Sequence, residues 1–223
     1  MRQFPEVEKY IGLYHKAWRE YRRTEELGDK ILYDLCTKEF PGHLDKRQVY
    51  TKVWFIGYTY SAGLSRQIGK SVNSAVVSAL VTAEKTDQGI SNIIDTVAEI
   101  AEPLSQDKLA LIVESHEKLL QIIEERVGVR LVSFTSKYLH FHHPYPSPVP
   151  LYDRVSQMTL RWLYGLAEYN YRRFVDRFWQ LYEHLLNGGV DATVKGVDRF
   201  LLRLSAQSDF KKWLAALGKR SKG

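Results

Sequence analysis

Two residues have the type and the setting for covalent chemistry. Lys137 lies in the helix-like run "SFTSKYLHFHH" over 133–143, and Asp153 follows sixteen residues later, beyond prolines at 144, 146, 148 and 150. At helical spacing, Ser133, Lys137, His140 and Phe141 fall near one stripe. Pro144 ends that helix near His143, because the residue before a proline is pushed out of helical geometry. The alternating prolines favour a stiff, extended path. That path delivers Asp153 to the start of the next helix, "DRVSQMTLRWLYGL", at a held distance from the first. A desolvated lysine amine is a nucleophile towards an electrophilic carbon. An ionised carboxylate stabilises the positive charge that builds on a sugar as its substituent departs. The same residues also have plainer uses, Lys137 as one of 32 basic residues on a solvated face and Asp153 as the N-cap of its helix.

The elements that must hold these groups read as helices. Val7, Tyr10, Ile11, Tyr14, Trp18 and Tyr21 recur at the spacing of one helical face, and Phe174, Phe178, Leu181, Tyr182 and Leu185 repeat it before Asn187-Gly188-Gly189 stops the run. Ser105 is a good N-cap for a long helix ending near Gly128. Asp191 or Thr193 starts another, with Val197, Phe200, Leu201 and Leu204 on its apolar face. Strand alternation is absent apart from "VRLVSF", a modest candidate. The expectation is an all-α protein of about eight to ten helices. It is one domain over residues 1–223, with room for two lobes and an active site between them.

The layout of a lysine on a helix, a proline-bearing loop and an Asp opening the next helix resembles the helix-hairpin-helix DNA glycosylase superfamily. "SFTSKYLHFHH" is similar to the lysine helix and "VPLYDRV" to the loop and acid. With the later "VKGVDRFLLRL", the pattern is closest to bacterial proteins with an 8-oxoguanine DNA glycosylase fold. The resemblance is strong over about thirty residues, and "WFIGYTYSAGLSR" extends it weakly. It implies double-stranded DNA as partner and a target nucleotide flipped into an aromatic-lined pocket. Lys137 would attack C1′, forming a Schiff base, while Asp153 supports departure of the base. The base would be oxidised guanine or a hypermodified base of phage DNA. If Lys137 only positions water, the product is an intact abasic site. One departure stands out. The family's glycine-rich hairpin before the lysine, which binds a DNA phosphate through backbone amides, is replaced by "VGVRLVSFTSK". Phosphate anchoring is therefore rebuilt elsewhere or lost. Two other readings remain, a non-catalytic DNA-binding relative and a helical interaction protein with no nucleic-acid role.

Other stretches bear on binding. In "KVWFIGYTYSAGLSRQIGKS", Trp54, Tyr58 and Tyr60 are candidate stacking surfaces for bases and Arg66 a candidate phosphate contact, against a plain reading of close helix packing through small residues. Tyr152, beside Asp153, and Ser133 and His140, each one turn from Lys137, complete the candidate substrate contacts. "HFHH" invites a metal, but no glutamate or cysteine stands at ligand spacing, so its histidines are read as support, with no metal and no cofactor. "HKAWREYRR" and "NYRRFVDRF" carry Lys16, Arg19, Arg22, Arg23, Arg172, Arg173 and Arg177, stripes that could track a DNA backbone or simply face solvent.

A net charge of +6 suits a polyanionic partner without requiring one. Cys36 is the lone cysteine, which excludes an internal disulfide and four-cysteine metal sites and fits a reducing cytoplasm. No apolar run reaches the ~20 residues that span a bilayer. A cytoplasmic monomer that does not engage membranes is expected.

Overall fold

Capping chemistry sets the helix ends. Ser105 accepts a hydrogen bond from the Lys108 amide and Gly128, at φ 75°, closes the same helix in the left-handed region that glycine adopts without strain. Asp45, Asp153, Asn170 and Thr193 cap four further helices through their side chains. The resulting computed structural model describes residues 10–60, 72–86, 89–165 and 170–220.

Eleven α-helices and one π-helical segment are found among the described residues: α1 (Ile11–Thr24), α2 (Glu26–Asp34), the π segment (Leu35–Glu39), α3 (Lys46–Thr59), α4 (Val72–Glu84), α5 (Ile90–Ala98), α6 (Gln106–Val127), α7 (Val132–His142), α8 (Arg154–Tyr164), α9 (Tyr171–Asn187), α10 (Val194–Ser205) and α11 (Ser208–Arg220). The all-α expectation holds. The helix count exceeds eight to ten because the chain breaks at Glu25 between α1 and α2 and again at Ala206–Gln207. The strand candidate "VRLVSF" is corrected. Its second half is the first turn of α7, where burial of Phe134, Tyr138 and Phe141 at three- to four-residue spacing outweighs the strand preference of its valines.

The chain divides into two compact units, Leu27–Leu151 and the pair of segments Met1–Glu26 with Tyr152–Gly223. In Leu27–Leu151, α3 packs on α4, α4 and α5 on α6, and α7 against α3, α5, α6 and the π segment. Val49, Val53, Ile56, Val76, Leu80, Ile112, Leu119, Phe134 and Phe141 form its core. Every residue of α7 from Phe134 to His142 is buried. Its polar side chains are therefore tied internally, as where Thr135 Oγ1 donates to the Leu131 carbonyl at 3.0 Å. In the second unit α1 packs on α10, α10 on α8 and α9, and α11 on α8 and α10, around Tyr14, Tyr21, Phe174, Phe178, Leu181, Val197 and Phe200.

Candidate functional site

Lys137 is the best-determined of the predicted reacting groups. It sits mid-way along α7, only 3% exposed. Its Nζ donates to the Tyr60 carbonyl at 2.9 Å and to Ser133 Oγ, one turn earlier, at 3.0 Å. Tyr60 is the C-cap of α3, its ring lies 4.8 Å from Phe141, and its hydroxyl donates to the buried Asp29 carboxylate of α2. Three elements thus place the amine, and both of these oxygens are neutral. Lys137, Ser133 and Tyr60, separated by up to 77 positions in sequence, are brought together.

The histidines of "HFHH" are all buried. His140 Nδ1–H donates to the Val149 carbonyl at 2.7 Å, which leaves Nε2 to accept from the Tyr33 hydroxyl at 2.6 Å in the neutral ring. His143 directs Nδ1 to the Pro144 carbonyl and Nε2 to the Ile100 carbonyl, at 2.6 and 2.7 Å, and so fastens the end of α7 to the segment after α5. Among the described residues, no group of three or more His, Cys, Asp and Glu is placed to hold a metal ion.

Asp153 lies in the other unit and caps α8. Its Oδ1 accepts from the Ser156 amide at 2.8 Å and its Oδ2 from the Ser156 hydroxyl at 3.1 Å. Tyr152 is 8% exposed and packs edge-on to Tyr171 and Phe174, its hydroxyl held above the usual tyrosine range by burial. Trp54 and Tyr58 stand outward from α3, 42% and 75% exposed. Their rings lie parallel within 2° at 5.3 Å. They stack on one another, and Trp54 also meets Phe55 edge-on. Arg66 lies outside the described residues.

A second lysine was not singled out by its sequence. Lys52 shares the buried stripe of α3 with Val49, Val53 and Ile56, all at 0% exposure. Its Nζ donates to the Gly42 carbonyl at 2.9 Å and to His43 Nε2 at 3.3 Å. Burial pulls this amine down to about 8, with the negative potential of Cys36 and Glu84 opposing the fall. Around it stand Cys36 from the π segment, pushed up to about 12 by burial, His43, pulled down to about 3 by burial and then by the Lys52 charge, and His142 and Tyr138 from α7. His142 Nδ1–H donates to the Tyr138 carbonyl at 2.7 Å, so its Nε2 is a bare acceptor. That nitrogen, His43 Nδ1 and the Tyr138 hydroxyl have no hydrogen-bond partner among the described residues. The sequence signal for this cluster is a lysine three residues after Val49 and four before Ile56, inside an apolar helix stripe. A groove of about 360 Å³ between α5 and α6, lined by Asn92, Ile93, Lys118, Gln121, Ile122 and Glu125, contains none of the predicted site residues.

No family model matches the chain, and no curated protein or solved structure matches it either. No helix among the described residues is long and apolar enough to cross a membrane.

Proposed function

We propose that the chain is a DNA glycosylase that removes a damaged or modified base, oxidised guanine or a hypermodified phage base. The observation that carries this reading is the setting of Lys137, an amine buried on the helix that ends at the proline segment and fixed in place by the Tyr60 carbonyl and Ser133 Oγ. In the reaction, the Lys137 nitrogen bonds to C1′ as the C1′–base bond breaks with its electron pair leaving on the base, which takes up a proton. Loss of the amine proton and protonation of the ring oxygen then open the sugar to a Schiff base. The Asp153 carboxylate offsets the positive charge that C1′ and the ring oxygen carry as the bond breaks. The exposed, mutually stacked rings of Trp54 and Tyr58 suit stacking on bases. The partner is double-stranded DNA and the protein acts in the cytoplasm as a monomer.

One observation favours the non-catalytic DNA-binding alternative. Both carboxylate oxygens of Asp153 are engaged as a helix cap, which is a sufficient structural reason for that residue. Asn caps as well as Asp does, so Asp153→Asn keeps the Oδ1 cap on the Ser156 amide and removes the charge, with the Ser156 hydroxyl turning to accept from Nδ2. Duplexes bearing varied lesions, and modified phage DNA, are incubated with the protein and borohydride, and the trapped adduct is mapped by mass. The expected result is excision, an adduct on Lys137, and loss of excision in Lys137→Met and Asp153→Asn with unchanged melting of the latter. Excision without an adduct reduces Lys137 to positioning water. Full excision by both variants rejects the assignment, and DNA binding without excision on every substrate leaves the non-catalytic relative.

A further inference from the structure

The glycine hairpin that would anchor a phosphate is missing, and the structure contains a different surface suited to that task. On α1, Tyr14, Ala17 and Tyr21 face the core. At 100° per residue, Lys16, Arg19 and Arg23 fall within about 60° of one another on the opposite side. All three are exposed. The acidic residues of this region are drawn elsewhere. Glu20 pairs with Arg203 and Glu25 with Arg199 at 2.6 Å, both arginines belonging to α10, and Glu26 stands 3.9 Å from Arg22. The carboxylates are thereby neutralised within the unit, while Lys16, Arg19 and Arg23 make no ion pair among the described residues. The three cations span about 10 Å along the helix axis, close to three nucleotide steps at about 3.4 Å each.

We infer that the outward face of α1, through Lys16, Arg19 and Arg23, binds the phosphate backbone of DNA and replaces the missing hairpin as the anchoring element. This inference rests on the DNA-binding part of the proposed function. It adds a sequence-independent contact made by residues remote in sequence from Lys137. Arg22 contributes less, because Glu26 already screens it.

The test is the salt dependence of binding to a duplex of random sequence, measured by fluorescence anisotropy on the full chain. Each phosphate contact contributes about 0.9 to the slope of log K against log salt. The triple variant Lys16→Ala/Arg19→Ala/Arg23→Ala is therefore expected to flatten the slope by about 3 and to weaken binding at 0.1 M salt by a hundredfold or more. The control is Lys38→Ala/Lys118→Ala/Arg130→Ala, which removes the same charge from residues already paired with Asp34, Glu114 and Glu117. Both proteins are checked for unchanged thermal melting, since these side chains are exposed. An equal effect in the two triples would overturn the inference, as would an unchanged slope in the α1 triple alongside normal binding and borohydride trapping by the wild type. Absence of wild-type DNA binding at any salt rejects the proposed function itself. Retained trapping by the α1 triple at saturating DNA in low salt separates anchoring from chemistry.

Discussion

Replacing Lys52 by Met should change the pH dependence of stability in a way no surface lysine could. The amine ordinarily titrates near 10.5, and burial holds it at about 8 in the native protein. Keeping it charged in the fold therefore costs about 3 kcal/mol at neutral pH, at about 1.4 kcal/mol per pH unit of displacement. Methionine has similar length and removes that cost. It also leaves both His43 Nε2 and the Gly42 carbonyl without their donor, a loss of about 1–3 kcal/mol for each buried group. At pH 7 the variant should therefore lie between about 1 kcal/mol more stable and about 3 kcal/mol less stable than the wild type. Between pH 8 and 10.5 the unfolded lysine keeps its proton while the native one loses it. Wild-type stability then gains about 1.4 kcal/mol per pH unit relative to the variant, and the gain is complete above 10.5. Cys36 and the buried tyrosines also titrate late, but they are common to both proteins and drop out of the difference to first order. Urea unfolding followed by tryptophan fluorescence at half-unit intervals from pH 7 to 10.5 measures it. Parallel curves would refute the argument, for they would mean that Lys52 titrates natively as it does unfolded.

Acid should destabilise the protein steeply. Burial holds His43 and His116 down to about 3 and His142 well below its ordinary value. As pH falls through about 6.5 towards 3, the unfolded state takes up three protons that the native state refuses. Stability should drop by about 4 kcal/mol per pH unit between roughly pH 6 and 4. A slope near that of ordinary carboxylates alone, in urea titrations at pH 6, 5 and 4, would contradict the buried neutral histidines. At Gly196, a Cβ would overlap the Tyr14 hydroxyl and stand 3.0 Å from Thr193 Oγ1. Gly196→Ala should cost about 1–3 kcal/mol or more by forcing α1 off α10. Adding Tyr14→Phe should recover part of that loss by removing the overlapping oxygen, and an unshifted melting temperature in Gly196→Ala would count against the packing described for Tyr14.

Helices were legible in the sequence wherever an apolar stripe met a capping residue. Ser105 with Gly128, and Asp153 and Thr193 at the starts of α8 and α10, stand where their chemistry puts them. For α7 the helical run over 133–143 is borne out, and only its opening misleads. A helix buried on all sides shows no polar face, and its "VRLVSF" opening imitates a strand until tertiary burial decides the matter. Within the site, local spacing sufficed for Ser133 and Lys137, because residues one turn apart on a helix meet whatever else the chain does. Tyr60 was singled out as a stacking ring, yet it is its carbonyl that receives the amine, 77 positions away. Helix-end carbonyls are open acceptors wherever α3 stops, and no side-chain pattern reveals which one a distant lysine will reach.

The same limit explains Lys52. Both amines sit inside the unit Leu27–Leu151 and both donate to a backbone carbonyl, Lys137 to Tyr60 and Lys52 to Gly42. Lys52 alone is ringed by histidine, cysteine and tyrosine. An amine held at about 8 is partly neutral near physiological pH, which is the electronic condition for nucleophilic attack, but Lys52, like the 3%-exposed Lys137, must first be uncovered before a substrate carbon reaches it. A borohydride adduct mapped to Lys52 rather than Lys137 would mean that the cluster opens during turnover and that the chemistry belongs there. An adduct on Lys137 would leave Lys52 as a charge the fold tolerates, with its second hydrogen bond fixing the His43 tautomer that keeps Nδ1–H directed away from the amine.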